Sequence, residues 1–322
     1  MRIGIVTPSP PRSHYGNSIT ALRWARILKG LGHRVRLAQG YKGERYDLMI
    51  ALHARRSYSS VRGFHRDYPD RPLVVALTGT DLYRDLPRSR TAQESLKLAT
   101  RIVALQPMAR RELQPPLRKK LRIIYQSVTP TIKIRRISAV PQSPRNFDVC
   151  VIAHLRAIKD PFRAALAARR LPSSSRLRIF HLGAAMTKAM ARRARRETGI
   201  NPRYHWLGDR PRRYVERTLA RSALCVLSSG AEGGANVLGE AIVAGVPLLA
   251  SRIPGSVGIL GEEYSGYFSV GNTEELARLF IRTETDPKFL ARLRSQCAKL
   301  APLFSPVRER DAWRRLIEEL GT

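Results

Sequence analysis

Short apolar runs alternate with amphipathic stretches along almost the whole chain. Residues 3–7, 34–38 and 48–52 read as strands. Residues 73–77, Leu-Val-Val-Ala-Leu, are apolar throughout, the pattern of a strand covered on both faces. Residues 102–105 and 122–125 repeat it. Residues 18–31 predict a helix, with Ile19, Leu22, Ala25, Ile27 and Leu28 as its apolar stripe and Gly32 as its stop. Further helices are predicted over 93–99 and 108–113. Alternation of strand and helix at this spacing implies a parallel sheet wound on both sides.

The texture then breaks. Residues 138–146 hold two prolines, two serines and a glutamine without periodicity, which reads as a linker. The alternation then resumes. Strands are predicted over 147–153, 177–182, 204–207, 224–227 and 246–250, and helices over 161–170, 186–198, 212–222 and 236–244. Three more helices, over 274–283, 287–299 and 306–320, close the chain. The expectation is two doubly wound α/β domains in series. They are residues 1–140 and 147–305, joined by a linker at 141–146, with a C-terminal helix at 306–322 that packs back toward the first.

Composition narrows the function classes. The chain has 322 residues, enough for two domains at about 150 residues each. Apolar residues make up 43% and charged residues 26%, which excludes a disordered chain. No apolar run reaches the roughly 18 residues of a spanning helix. A strand directly after Met1 and Arg2 argues against a cleavable leader. Cys150, Cys225 and Cys297 lack CxxC spacing, which argues against a zinc ribbon or a disulfide framework and for a reducing cytosol. The expected location is cytoplasmic. The formal charge of +33 is built from 48 Arg and 10 Lys. Such an excess suits nucleic acid, an anionic membrane surface or small phosphorylated ligands, or is compositional. The arginines are scattered, and neither an aromatic RNA-binding strand nor a helix-turn-helix pattern is present. No nucleic-acid partner is therefore expected, while transient contact with an anionic membrane stays open.

In open α/β sheets, ligands bind outside the carboxyl ends of the strands. The loop after residue 227 reads Ser-Ser-Gly-Ala-Glu232-Gly233-Gly234-Ala235-Asn236-Val237-Leu238-Gly239-Glu240. Its glycines let backbone approach a ligand closely. The helix start at Asn236, Val237 and Leu238 offers unpaired amides to a diphosphate. Glu240, about a turn later, can accept hydrogen bonds from sugar hydroxyls. A capped helix with a dipole-favouring glutamate is the plain alternative.

Glu232, seven residues, Glu240, then Ala244-Gly245-Val246-Pro247 and a strand resembles the EX7E signature of retaining, family-4-type glycosyltransferases of the GT-B fold. The resemblance implies two Rossmann-like, doubly wound parallel-sheet domains facing across a cleft. The nucleotide sugar would bind the C-terminal domain and the acceptor mostly the N-terminal one. It implies donor-binding roles for Gly233, Gly234, Asn236, Val237, Leu238 and Glu240. It also places Arg156 and Lys159, in His154-Leu155-Arg156-Ala157-Ile158-Lys159, on the donor diphosphate, where a planar fork and a point charge suit phosphate oxygens. His53 in Ala51-Leu52-His53-Ala54-Arg55-Arg56 matches a ligand-contacting histidine of relatives, so His53 and Glu232 are the catalytic candidates. Gly16 and Asn17 close the loop after the first strand, and Leu77-Thr78-Gly79-Thr80-Asp81 stands where relatives carry a His-Gly-Thr-Asp-like run. Gly16, Asn17, Arg55, Thr78 and Asp81 are thus the candidates for the acceptor and its phosphate.

A finer likeness lies in Thr7-Pro8-Ser9-Pro10-Pro11, in Asn17 with residues 20–25, and in residues 51–57, 76–85, 154–161 and 251–258. These resemble the selenosugar synthase branch of the family, which serves selenoneine biosynthesis. The branch implies transfer from UDP-N-acetylglucosamine or UDP-glucose to selenophosphate, with release of UDP and phosphate. Selenium is a soft nucleophile that needs no His–Asp base. The site must instead supply positive charge for two phosphate groups. Arg12, Arg55, Arg56, Arg84 and Arg252 are candidates. No DxD-like run ends a strand, so transfer without a metal or other cofactor is expected. The competing reading is an O-glycosyltransferase acting on a lipid or saccharide of the cell envelope.

Overall fold

The computed structural model describes residues 1–8, 16–79, 81–130 and 146–321. Arg12 and the linker expected at 141–146 lie outside the described residues, Asn146 apart. The chain forms two units. The first comprises Met1–Ser127, Glu232–Gly234 and Ser305–Thr322, and the second Val128–Ala231 and Ala235–Phe304.

In the first unit, β1 (Arg2–Val6), β2 (Arg34–Ala38), β3 (Leu48–Leu52), β4 (Leu73–Leu77), β5 (Arg101–Ala104) and β6 (Leu121–Ile123) form one sheet of order β2-β1-β3-β4-β5-β6. Every ladder is parallel. All five residues of both β3 and β4 are buried, which explains their unbroken apolar runs. Helix α1 (Gly16–Gly30) starts two residues earlier than its apolar stripe predicts. Helix α2 (Tyr58–Asp67) has no counterpart in the sequence reading. Only Val61 and Phe64 among its apolar residues are buried, and Gly63 interrupts it, so its periodicity is too thin to see. The segment expected as a helix over 108–113 is a 3-10 turn, Pro107–Glu112, started by the Gln106 side chain accepting from Met108 N–H. Helices α3 (Arg90–Leu98) and α4 (Pro115–Arg118) complete the N-terminal stretch.

The second unit repeats the design with β7 (Phe147–Ile152), β8 (Leu177–Leu182), β9 (Tyr204–Gly208), β10 (Leu224–Leu227), β11 (Leu248–Ser251) and β12 (Tyr267–Phe268), in the order β12-β11-β10-β7-β8-β9. These ladders are also all parallel. Its helices are α5 (Arg163–Ala168), α6 (Lys188–Ile200), α7 (Arg212–Arg221), α8 (Asn236–Val243), α9 (Pro254–Leu260), α10 (Thr273–Thr285) and α11 (Pro287–Leu300). Four buried alanines in α5 let it lie close on the sheet. Residues 246 and 247 fall outside β11, because Pro247 has no N–H to give a ladder. The run 251–258, for which no helix is predicted, contains most of α9, which begins with Pro254 in its first turn. The three cysteines are buried and unpaired in this unit.

Helix α12 (Pro306–Gly321) belongs to the first unit. Its Trp313 stacks edge-on against Trp24 of α1, with ring centroids 4.8 Å apart. Glu309, 1% exposed, accepts from Trp24 Nε1–H at 3.1 Å and from Ser127 N–H at 2.7 Å. Glu319 pairs with Arg101 at 2.8 Å and with Arg122. Among the described residues, no helix is long and apolar enough to cross a membrane.

Candidate active-site loops

In the second unit, β7 and β10 are neighbours, with Cys150 opposite Cys225, so the loops leaving their carboxyl ends lie side by side. Gly230 N–H donates to the Ile158 carbonyl at 2.8 Å. The Ser228 hydroxyl contacts the carbonyls of Lys159 and Asp160 at 3.1 and 2.9 Å. Asp160 closes the basic loop in a left-handed conformation, φ 42°, and its carboxylate accepts from Arg163 Nε–H at 2.7 Å. Backbone bonds thus fix the segment carrying Arg156 and Lys159 against the loop that leads to α8. Arg156 is exposed and Lys159 half-buried.

Helix α8 starts at Asn236, with Ala235 as the residue before it, so the asparagine is not the cap. Its Oδ1 is buried and has no hydrogen-bond partner among the described residues. Val237 and Leu238 are buried, and Leu238 N–H already donates to the Ala235 carbonyl at 3.0 Å, so the sequence expectation of an unpaired amide does not hold at Leu238. Glu240 lines an apolar crevice of about 40 Å³ with Val215, Leu219 and Val243. Burial pushes the Cys150 thiol up to about 12, and the Glu240 carboxylate adds to that rise.

A third loop is braced from below. His181 of β8 is fully buried, with Nε2 2.9 Å from the Ala153 carbonyl and Nδ1 2.8 Å from the Tyr204 hydroxyl. Only one tautomer satisfies both oxygens: Nε2–H donates to Ala153 and the tyrosine donates to Nδ1. Gly183, after β8, has φ 151°, and a Cβ there would lie 2.0 Å from the Ala153 oxygen. Ala184 N–H donates to His154 Nδ1 at 3.1 Å.

In the first unit, β1, β3 and β4 are adjacent and parallel, so their following loops also converge. The Thr78 hydroxyl donates to Asn17 Oδ1 at 2.8 Å, tying two acceptor candidates 61 positions apart. Gly16 opens α1, and a Cβ there would meet nothing within 4 Å among the described residues. Of the second-domain signature, Glu232, Gly233 and Gly234 fall in this unit. A Cβ on Gly233 would sit 2.8 Å from Gly79 N, and one on Gly234 2.5 Å from Leu105 Cβ, so backbone approach is what these glycines permit. Glu232 is half-buried.

His53 is 3% exposed and has φ 72°, a left-handed conformation that costs a residue of this kind about 1–3 kcal/mol. The turn is held by many bonds. Asp81, fully buried, accepts from Ala54 N–H through Oδ2 at 3.1 Å and from Gly79 N–H through Oδ1 at 2.9 Å. The Ser57 hydroxyl donates to the Leu52 carbonyl at 2.6 Å, and that of Ser95 to Ala54 at 2.8 Å. Arg56 N–H points at His53 Nδ1, 3.4 Å away, so the proton of the neutral ring sits on Nε2. That nitrogen lies 3.6 Å from Asp85 Oδ2, the same oxygen that Arg55 Nε reaches at 3.0 Å. Burial lowers the His53 pKa, favouring the neutral ring, and raises that of Asp81, against which the Gly79 and Ala54 N–H groups favour the carboxylate. Asp81 is therefore a brace for the turn and not a helix cap; the segment it opens, Asp81–Asp85, is a π-helical turn. Sequence reasoning missed Asp85, although its spacing of four from Asp81 after β4 was a usable signal. It missed His181 too, whose partners come from two other strands. Arg84 is exposed, and Arg252 is paired with Glu262 at 3.2 Å.

Comparison with known proteins agrees with this architecture. HepE of Anabaena, solved in complex with UDP-glucose, is 17% identical over 99% of this chain and 100% of its own, with a TM-score of 0.76. Sucrose-phosphate synthase (tll1590) of Thermosynechococcus elongatus is 14% identical over 99% and 98%, with a TM-score of 0.78. The E. coli trehalose-6-phosphate structure bound with UDP-2-fluoro glucose is 11% identical over 99% of each chain, with a TM-score of 0.73. These likenesses establish the fold as two Rossmann-like α/β units of the GT-B kind. The family model of glycosyl transferases group 1 matches residues 133–300, just over half of the chain. The chain therefore belongs to the group 1 glycosyl transferases.

Proposed function

We propose that the protein transfers a hexosyl group from a UDP-sugar, UDP-N-acetylglucosamine or UDP-glucose, to selenophosphate. The observation that carries the donor half is the backbone latch between the basic loop and the glycine loop, Gly230 N–H on Ile158. It fixes Arg156 and Lys159 on the loop beside the one that opens α8, a pairing of fixed cations and helix-end amides suited to a diphosphate. Solved proteins of this fold hold UDP-glucose and UDP-2-fluoro glucose, which supports a UDP-sugar here. The acceptor half is supported by Arg55, presented by a rigid turn, and by the likeness of residues 51–57, 76–85 and 251–258 to selenosugar synthases.

A selenium lone pair attacks C1 of the sugar, and the C1–O bond to the diphosphate breaks with its electron pair leaving on UDP. Hydrolysis of the Se–P bond then releases phosphate and the selenosugar. Arg156, Lys159 and the α8 amides stabilise the charge on the leaving UDP. Glu240 holds donor hydroxyls, Glu232 steadies the positive charge that develops at C1, and His53, as a neutral Nε2–H donor, supports the leaving group. Arg55, Asn17 and Thr78 hold the acceptor phosphate.

The test is direct. The protein, UDP-N-acetylglucosamine and enzymatically supplied selenophosphate are mixed, and a product with the selenium isotope pattern is expected by mass spectrometry. Glu240→Ala should abolish it, and Lys159→Ala should raise KM for the donor about tenfold, the worth of one charge-assisted hydrogen bond. No selenium product, alongside turnover with a hydroxyl acceptor, would overturn the reading in favour of an envelope O-glycosyltransferase.

A further inference from the structure

The Arg55 guanidinium is engaged by a carboxylate of its own unit. Its Nε lies 3.0 Å from Asp85 Oδ2, with the arginine side chain 48% exposed and the aspartate 18% exposed. The same carboxylate oxygen faces His53 Nε2 at 3.6 Å. The turn beneath is held in place: Asp81 and Ser95 bind the N–H and the carbonyl of Ala54, and the Ser57 hydroxyl binds the Leu52 carbonyl. Asp85 sits at the far end of the π-helical turn that Asp81 anchors, so both acids are fixed relative to Arg55. The charged groups that face His53 are Asp81 and Asp85 from that turn and Arg55 and Arg56 from its own.

We infer that Asp85 is a specificity-determining residue for the acceptor: its carboxylate occupies Arg55 in the resting protein and is exchanged for the acceptor's phosphate group. This rests on the reading that Arg55 binds the acceptor. A half-exposed arginine–carboxylate pair is weak enough to exchange. A phosphoryl group brings close to two negative charges and three acceptor oxygens, against one charge and two oxygens on Asp85. The carboxylate therefore yields to a phosphoryl dianion and resists a singly charged or neutral acceptor. Once released, Asp85 Oδ2 keeps His53 as its neighbour, so the exchange is felt at the imidazole ring. Asp85 is a positioning residue here, since it acts through Arg55 and not on the reacting atoms.

Inorganic phosphate is the probe, titrated by calorimetry into the full-length protein saturated with UDP. The His53 ring signal in a proton–carbon spectrum reports where the anion binds. The wild type should bind phosphate with movement of that signal. Asp85→Asn should bind it about tenfold more tightly, because the competing charge is gone. In turnover the same variant should show a lower KM for the anionic acceptor without a rise in kcat, a split that a merely structural role would not produce. Arg55→Ala should lose phosphate binding. Equal affinity in the wild type and Asp85→Asn overturns the exchange while leaving Arg55 as an acceptor ligand. Phosphate binding untouched by Arg55→Ala overturns the underlying reading instead. If Asp85→Asn fails to fold, the wild type alone decides: phosphate that binds without moving the His53 signal overturns the exchange.

Discussion

Among the described residues, each unit buries one histidine near the carboxyl end of its sheet, and the two are held in opposite ways. His181 is fully enclosed by neutral oxygens, the Ala153 carbonyl at 2.9 Å and the Tyr204 hydroxyl at 2.8 Å, and burial lowers its pKa to about 4. His53 is almost as buried but stands among charges, with Asp81 and Asp85 on one side and Arg55 and Arg56 on the other. Around His181 the second unit braces its loops with backbone bonds, a glycine and neutral side chains. The first builds its turn from carboxylates. The physical lesson is a division of labour. A neutral frame is insensitive to salt as long as its histidine stays uncharged, whereas a charged frame can respond when an anion enters it.

The neutral frame should fail most severely where a side chain is added. Gly183 at φ 151° leaves no room for a Cβ, which would lie 2.0 Å from the Ala153 oxygen. Gly183→Ala is expected to destabilise the second unit by about 4 kcal/mol, the range reserved for forced backbone strain. Hydrogen exchange read by mass spectrometry is the check, because a chain of two units gives no single unfolding midpoint. Peptides from residues 147–208 should lose protection while those of residues 2–123 keep theirs. Equal loss in both would mean that the two frames are not separately built.

Protonation is the next largest lever, and it acts on the neutral frame. In the unfolded chain His181 titrates near 6.5, and in the folded protein near 4. Between these values the unfolded state binds more protons, so stability rises with pH. The contribution is present above about pH 6.5 and is lost as pH falls toward 4, to a total of about 3 kcal/mol. His181→Gln keeps an N–H donor and a carbonyl acceptor without the titration. The urea midpoint of its second unit, read from the exchange protection of peptides within residues 147–208, should fall less between pH 7 and pH 4.5 than that of the wild type. An unchanged fall would show that His181 is not the neutral brace of Ala153.

Legibility followed how local the cause was. Strands β3 and β4 were readable because burial on both faces leaves no polar position to confuse the pattern. Helices α2 and α9 were not, since one buries too few apolar residues and the other is short and carries two glycines. His53 stood out by its place at a strand end. Its reason for a left-handed backbone did not, because the bond from Ala54 N–H goes to Asp81, 27 positions on. The pairing of Asn17 with Thr78 spans 61 positions and has no local trace. Glu309 reads as one more solvated glutamate among arginines, yet it is 1% exposed and bound to Trp24 and Ser127, so burial raises its pKa. What sequence periodicity lacked in each case was the partner, and the partner came from another strand or helix.

The charged frame should break by the smallest chemical change of all, the exchange of one oxygen for nitrogen. Both oxygens of Asp81 accept a backbone N–H, Oδ1 from Gly79 and Oδ2 from Ala54. An asparagine has a single acceptor oxygen, so Asp81→Asn must turn its NH2 group toward one of these donors. One buried N–H then loses its partner, at a cost of about 2 kcal/mol. The loss should be confined to the turn that carries His53 and Arg55. Amide exchange at Ala54 and Gly79 should quicken while the ladder between β3 and β4 stays protected. The matched change in the other unit, Tyr204→Phe, removes a neutral donor from His181 and should cost less, about 1 kcal/mol. If the order of these two costs is reversed, charge is not what distinguishes the first frame from the second.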